Sequence, residues 1–250
     1  NALVTVAVLA YSTQGTPPVP TLTGGGMQAW DVVATVVFDP GLTFPLQRLT
    51  IFRAMSAAPG SGPITITSPI VALSHAHWSV SQWTGVAVSG VNGSGAVRQI
   101  ASTSGDHVNG LSVSLDELAS PTNVAYGAFG VQIRTTDVIP GAGFTEISEQ
   151  ASGENTPGDL QTQWGINLTE VPATWATSPA PNAGGLAIEI NTSTPGPGPG
   201  PEPEPVATVL VTPNPGSVNV GATLPLTATL KDANGNTLTG RVVAWASSDL

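Results

Sequence analysis

Two histidines stand one residue apart in the sequence, at His75 and His77. Imidazole nitrogens are common ligands of zinc and copper, and on an extended strand the two rings would share one face, about 7 Å apart. A metal site needs at least one more ligand, and the chain has no cysteine and no third ligand close by in sequence. These histidines are therefore weak metal candidates, and we expect neither a metal ion nor any other cofactor.

The chain contains residues of the kinds that hydrolases use in catalysis, but their spacing does not suit catalysis. His107 follows Asp106, as two members of a catalytic triad could, yet no serine lies on a recognisable nucleophile elbow. Glu146 and Glu149 are three residues apart, so a regular strand would turn them to opposite faces. Because glycosidase carboxylates must face each other across the scissile bond, the sequence predicts that the protein is not an enzyme.

Four tryptophans are candidates for stacking on sugar rings, namely Trp78, Trp83, Trp164 and Trp175. An indole ring can cover the apolar face of a sugar, although most large aromatic side chains serve to fill protein cores. Trp175 lies in a stretch rich in proline, threonine and alanine, so we expect it to be exposed in a loop. The predicted ligand-binding residues are Trp175, Trp83 and Trp78.

The chain is acidic, with a formal net charge of −10, only 9% charged residues and Lys231 as its one lysine. Nucleic acids and anionic membrane surfaces attract proteins through clustered basic residues, and this sequence has no such cluster. It also has no run of about 20 apolar residues, so we expect no insertion into a membrane.

Short strand-like segments, separated by turns of glycine, proline and asparagine, must position these side chains. In Leu111–Leu115 apolar and polar residues alternate strictly, and in Leu186–Ile190 the apolar residues share one face while Glu189 points to the other. The apolar share of 40% is enough to build cores. We predict an all-β fold in which residues 1–192 form an antiparallel β-sandwich or jelly roll of about ten strands.

A linker is predicted at residues 193–205, where prolines alternate first with glycine and then with glutamate. A segment of this kind cannot pair within a sheet and favours the extended polyproline II conformation. It acts as a semi-rigid spacer, so residues 206–250 are predicted to form a second module.

Residues 206–250 carry a series of features in a fixed order. They are a strand ending in proline at Val206–Pro213, a glycine and a second strand at Gly221–Asp232, a turn at Gly235-Asn236 and a tryptophan-containing strand at Val243–Asp249. This order resembles the bacterial Ig-like domain, group 2, and its close relatives in invasins, intimins and phage virion proteins. The resemblance implies the N-terminal part of an immunoglobulin-like β-sandwich, a spacer or adhesive module without catalysis. Because the later strands of such a domain are missing, we expect the chain to continue beyond Leu250.

The segments Trp78–Val86 and Tyr126–Gly130 resemble the lectin-like jelly rolls of bacterial exoproteins and phage structural proteins. Together with the Ig-like resemblance, this indicates a non-enzymatic structural or display protein, with a phage virion decoration, fibre or tail-associated protein as the leading interpretation. The alternatives are a carbohydrate-binding adhesin or surface-filament protein of a bacterium, and a secreted hydrolase with an accessory Ig-like domain. The expected partners are other subunits of a repeated assembly and, for an adhesin, cell-surface glycans. We expect the protein on a virion surface, outside a cell or on a cell surface.

Overall fold

A computed structural model divides the chain into two compact units, Asn1–Thr194 and Pro195–Leu250. The residues that the structure describes are 1–12, 15–38, 46–60, 62–69, 73–132, 137–151, 158–193, 206–212, 225, 227–233 and 235–238. Strands make up 61% of the described residues and helices 3%, which confirms the predicted all-β class. No helix within these ranges is both long enough and apolar enough to cross a membrane.

The first unit contains fourteen described strands, more than the roughly ten that the turn pattern predicts. They are β1 (Ala2–Ser12), β2 (Thr21–Gly24), β3 (Asp31–Phe38), β4 (Gln47–Ser56), β5 (Ile64–Thr67), β6 (Leu73–Trp83), β7 (Val97–Gly105), β8 (Gly110–Ser114), β9 (Val124–Val131), β10 (Val138–Pro140), β11 (Thr145–Ala151), β12 (Asp159–Ile166), β13 (Glu170–Trp175) and β14 (Ala183–Ile190). A single 3-10 segment, Val91–Ala96, precedes β7 in the described part of the unit.

These strands form four antiparallel sheets. Sheet I has the order β3-β4-β1-β6, and sheet II has the order β11-β12-β9-β14-β7. Sheet III has the order β10-β13-β8, and sheet IV is the pair β2-β5. Sheet I therefore takes its strands from residues 2–83 and sheet II from residues 97–190.

The sheets stack in the order IV, I, II, III, with an apolar core between each neighbouring pair. The largest core joins sheets I and II and includes Leu9, Ile51, Tyr126 and Ile188. A second core, around Phe129, joins sheets II and III, and a third joins sheets I and IV. The predicted sandwich is therefore the central pair of sheets I and II, with one further layer on each side.

The middle strands of this stack are buried on both faces, and small residues make this possible. Every residue of β9 is buried, and its alternate residues face sheets I and III. A Cβ atom added at Gly130 would lie 2.7 Å from Leu9 Cδ1 in sheet I, and one at Gly127 would lie 2.5 Å from Val171 Cγ1 in sheet III. Glycine at these positions lets the neighbouring layers approach closely.

Glu189 shows why an alternating strand need not have a solvated face. It points away from Leu186 and Ile188, as the alternation predicts, but it is fully buried because a loop covers it. Its carboxylate accepts hydrogen bonds from Gln99 Nε2 and the Ala119 backbone N–H, both at 2.8 Å, and from Asn123 Nδ2. This carboxylate ties the loop before β9 to strands β7 and β14.

The second unit shows three described strands, β15 (Thr208–Thr212), β16 (Thr227–Lys231) and β17 (Thr237–Leu238), in one antiparallel sheet. A hairpin turn joins the last two, where Asn236 donates from its backbone N–H to Asp232 Oδ1 at 2.8 Å and from its side chain to Oδ2 at 2.9 Å. Gly235 has a φ of 83°, a conformation that favours glycine. The predicted linker from residue 194 onward and the Val243–Asp249 strand lie outside the described residues.

Candidate functional site

An open cavity of about 410 Å³ lies where the edge strand β6 of sheet I meets strands β9, β11 and β12 of sheet II. We call it the Trp83–Trp164 cavity. Its lining residues combine two indole rings with two aliphatic and three polar side chains: Trp83, Trp164, Val124, Ile147, Ser81, Gln82 and Thr84. None of these seven side chains carries a charge.

Trp83 is held in place from the core side. It lies opposite Leu3 on β1, so its ring projects between sheets I and II, where it is half-buried. Its indole N–H donates to Thr5 Oγ1 at 2.9 Å. The ring also packs edge-to-face on Tyr126, with 5.6 Å between ring centroids and 79° between planes. These contacts fix the orientation of the ring before any ligand arrives.

The opposite wall comes from sheet II. Trp164 lies on β12 between Tyr126 on β9 and Thr145 on β11, and it is half-buried. The register of β11 with β12 shifts between Glu146 and Ser148, which is a β-bulge at Ile147. The bulge places Ile147 in the cavity wall beside Trp164.

A row of hydroxyl groups joins the two sheets at the same edge. Ser79 Oγ on β6 lies 2.8 Å from Thr162 Oγ1 on β12 and accepts a hydrogen bond from Ser148 Oγ on β11 at 2.7 Å. These bonds hold β6 against β11 and β12. The spacing of the cavity walls is therefore fixed by direct contacts between the strands that form them.

Two buried hydroxyl groups stand at the inner end of the cavity. Ser81 Oγ, on the cavity lining, and Tyr126 Oη, behind it, make no hydrogen bond of good geometry with any described residue, although Tyr126 Oη lies near both Ser81 and Thr5. Burial raises the pKa of Tyr126 well above its ordinary value, so the phenol keeps its proton.

The other tryptophans that the sequence singles out lie elsewhere. Trp78 is 55% exposed, but it lies opposite Val8 on the face of sheet I that carries sheet IV, so Trp78 and Trp83 point to opposite sides of β6. The expectation that Trp175 is exposed in a loop is wrong. It ends strand β13, is only 3% exposed, and donates its indole N–H to Val108 O at 2.8 Å. Its strand pairs on both sides within sheet III, which presses the ring onto sheet II.

The two histidines lie on β6, on the face that carries Trp83. His75 packs edge-to-face on Tyr11, with 6.1 Å between ring centroids. Burial lowers the pKa of His77, although the charge of Asp159 acts in the opposite direction. The one group of metal-capable side chains among the described residues includes neither histidine.

That group consists of Asp137, Glu146 and Glu149, whose nearest carboxylate oxygens all lie within 4.8 Å of one another. We call it the Asp137–Glu149 cluster. The prediction that Glu146 and Glu149 face opposite sides is wrong. The bulge between them adds one residue to the strand, so both side chains point to the same face of β11. The pKa of Glu149 is raised to about 8 by burial and by the neighbouring Asp137 and Asp159, while a hydrogen bond from the Val138 N–H acts in the opposite direction.

No protein-family model, curated protein sequence or solved structure matches this chain. The cavity residues that sequence reasoning missed are Ser81, Gln82, Thr84, Val124 and Ile147. The alternation of β6 would have placed Ser81 beside Trp83, but the bulge at Ile147 leaves no signal in the sequence.

Proposed function

We propose that the protein is a non-enzymatic display protein of a particle or cell surface, and that its first unit binds carbohydrate in the Trp83–Trp164 cavity. The observation that carries the proposal is the cavity itself. It sets two half-buried indole rings and polar residues around about 410 Å³, a size that suits a small ligand.

Sugars present apolar ring faces together with hydroxyl groups around the rim, and the cavity offers a counterpart to both. Trp83 and Trp164 supply rigid apolar surfaces, while Gln82 and Thr84 supply donors and acceptors. Because the lining is uncharged, the favoured ligands are neutral sugars. Acidic sugars are disfavoured by the net charge of −10 on the chain.

The uncharged lining also favours binding over catalysis. Hydrolysis of a glycosidic bond requires an acid and a base on either side of the bond, and none of the seven lining residues can serve as either. Trp164 pairs with Tyr126 on the face of sheet II that turns toward sheet I, whereas Glu149 pairs with Gln161 on the face that turns toward sheet III. The carboxylates of the Asp137–Glu149 cluster therefore lie on the face of sheet II opposite the cavity.

The display role rests on composition and on the Ig-like resemblance. Only 9% of the residues are charged, while 29 are glycine and 23 are proline. A phage virion decoration, fibre or tail-associated protein and a bacterial adhesin or surface filament both fit this composition. Electron microscopy of native particles or filaments labelled with an antibody to this chain separates them, since only one of the two would be decorated.

A glycan array tests the binding proposal. The full chain, fluorescently labelled at its N-terminus, should bind a restricted group of neutral oligosaccharides, and Trp83→Ala should lose that binding. Trp78→Ala is the matched control, since it removes an exposed tryptophan of the same strand that lies on the other face. Equal binding by the wild type and Trp83→Ala, or no binding to any neutral sugar, would contradict the proposal.

A further inference from the structure

We propose that Asn109 is a site of spontaneous modification, where the backbone nitrogen of Gly110 closes a succinimide ring on the Asn109 side chain and water opens that ring to aspartate and isoaspartate. The site lies at the start of β8, which is an outer strand of sheet III. Neither residue lines the Trp83–Trp164 cavity, so the modification is independent of the proposed sugar binding.

The reaction needs only the chain and water. The Gly110 nitrogen bonds to the side-chain carbonyl carbon of Asn109, the bond from that carbon to Nδ2 breaks, and ammonia leaves with the proton of the Gly110 N–H. Water then cleaves one of the two ring bonds to the Gly110 nitrogen. Cleavage at the side-chain carbonyl gives aspartate, and cleavage at the main-chain carbonyl gives isoaspartate. Either product adds one negative charge, and isoaspartate also lengthens the main chain by one methylene.

The sequence contains three asparagine–glycine pairs, at residues 92–93, 109–110 and 234–235. Glycine after asparagine favours ring closure, because no Cβ atom crowds the attacking nitrogen. Asn234 lies outside the described residues, so the structure compares the first two pairs.

The side chain of Asn92 is held at both of its polar atoms. Its Oδ1 accepts a hydrogen bond from the Met55 N–H at 2.9 Å. Its Nδ2 donates to Ala29 O at 3.2 Å and to Asp31 Oδ2 at 3.1 Å. Turning this side chain toward the next backbone nitrogen would break all three bonds, so the fold protects Asn92 from ring closure.

The side chain of Asn109 is exposed and makes no hydrogen bond with any residue that the structure describes. The attacking nitrogen is also unrestrained. Because Asn109 O accepts a hydrogen bond from the Trp175 N–H at 3.1 Å, the next pair along the ladder, Gly110 with Thr174, is a non-hydrogen-bonded pair. The Gly110 N–H therefore points away from β13, toward the side of β8 where no described strand pairs with it.

Modification at Asn109 would disturb the segment that anchors Trp175. The backbone N–H of Trp175 donates to Asn109 O at 3.1 Å, and its indole N–H donates to Val108 O at 2.8 Å. In isoaspartate the Asn109 carbonyl becomes part of a free carboxylate, and the extra methylene shifts the main chain where β8 begins to pair with β13. We therefore expect the Trp175 end of sheet III to loosen as the protein ages.

The test is peptide mapping, by chromatography and mass spectrometry, of the full chain incubated at mildly alkaline pH. The Asn109 peptide should convert to a mixture of aspartate and isoaspartate, while Asn92 stays unchanged over the same period. In urea that unfolds the chain both asparagines should convert, because Asn92 then loses its hydrogen bonds. Gly110→Ala should slow the conversion of Asn109 several-fold. Gly62→Ala, whose added Cβ meets nothing within 4 Å, should leave it unchanged.

Residue-resolved hydrogen exchange measures the consequence. The Trp175 amide should exchange faster in converted protein than in fresh protein, whereas an Asn109→Gln variant incubated for the same time should not change. An Asn109 that stays intact in the folded chain, or converts no faster than Asn92, would overturn the proposal. This comparison is made within the wild type, so it holds even if Gly110→Ala fails to fold. Unchanged exchange of the Trp175 amide in converted protein would overturn the loosening of sheet III.

Discussion

Glu146 and Glu149 lie on the same face of β11 because the register with β12 slips by one residue between Glu146 and Ser148. The same slip turns Ile147 into the wall of the Trp83–Trp164 cavity. One bulge therefore shapes both the cluster and the cavity, with the carboxylates on one face of sheet II and an aliphatic wall on the other. Bulges occur often beside functional sites because they redirect side chains in this way.

The raised pKa of Glu149 predicts that this residue weakens the fold as the pH rises. In the unfolded chain the carboxyl loses its proton near pH 4.5, whereas in the folded protein its pKa is about 8. Its contribution to stability is therefore most favourable below pH 4.5 and declines as the pH rises toward 8. The unfolding temperature of Glu149→Gln should exceed that of the wild type by an amount that grows from pH 5 to pH 8.

Calorimetric or fluorescence melting curves at half-unit pH intervals measure this difference. Glu170→Gln serves as the control, because that glutamate is exposed on β13. A difference in unfolding temperature between the wild type and Glu149→Gln that stays constant across this pH range would contradict a pKa of Glu149 raised by burial and by the neighbouring carboxylates.

Glu189 is predicted to be a major contributor to the stability of the first unit. Glu189→Ala would leave the Gln99 and Asn123 amides and the Ala119 N–H without their acceptor inside the protein. We expect a loss of about 3 kcal/mol or more in the free energy of unfolding, measured by urea denaturation. Glu170→Ala removes an exposed glutamate and should cost about 0.5 kcal/mol or less. Equal urea midpoints for the two variants would rule out this anchoring role.

Close contact between sheets I and II predicts that Gly130 cannot accept even a methyl group. The added Cβ of Gly130→Ala would meet Leu9 Cδ1 at 2.7 Å, so we expect a loss of about 1–3 kcal/mol. Gly62→Ala is the matched control, since nothing lies within 4 Å of its added Cβ, and it should be neutral or slightly stabilising. Urea unfolding of both variants measures the contrast, and a Gly130→Ala variant as stable as Gly62→Ala would show that the layers are less tightly packed.

The all-β class could be predicted from the sequence because strand periodicity and turn residues are local properties. The number of stacked sheets in the first unit could not be predicted in this way. Glu189 illustrates this limit. Alternation predicts that its side chain and that of Ile188 point to different faces of the strand, but it does not reveal that a loop covers the face of Glu189. Trp175 shows it again, because a stretch that looks like a loop from its composition pairs on both sides within sheet III.

The candidate sites were only partly predictable for the same reason. Trp83 and Trp164 stand out by residue type, but their convergence depends on how β6 and β12 meet across two sheets. The period of two that separates Glu146 from Glu149 fails at a single bulged residue. Such irregularities depend on the neighbouring strands and leave little trace in the local sequence.

Sugar binding in the Trp83–Trp164 cavity is tested most directly by calorimetric titration of the best-binding neutral oligosaccharide from the array into three proteins: the wild type, Trp164→Ala and Trp78→Ala. Ser81→Ala provides a milder cavity variant if Trp164→Ala does not fold. The account predicts that Trp164→Ala weakens binding about 30-fold, as truncation of a central aromatic contact does, while Trp78→Ala binds as the wild type. Unchanged affinity in Trp164→Ala and Ser81→Ala, or a loss confined to Trp78→Ala, would contradict it.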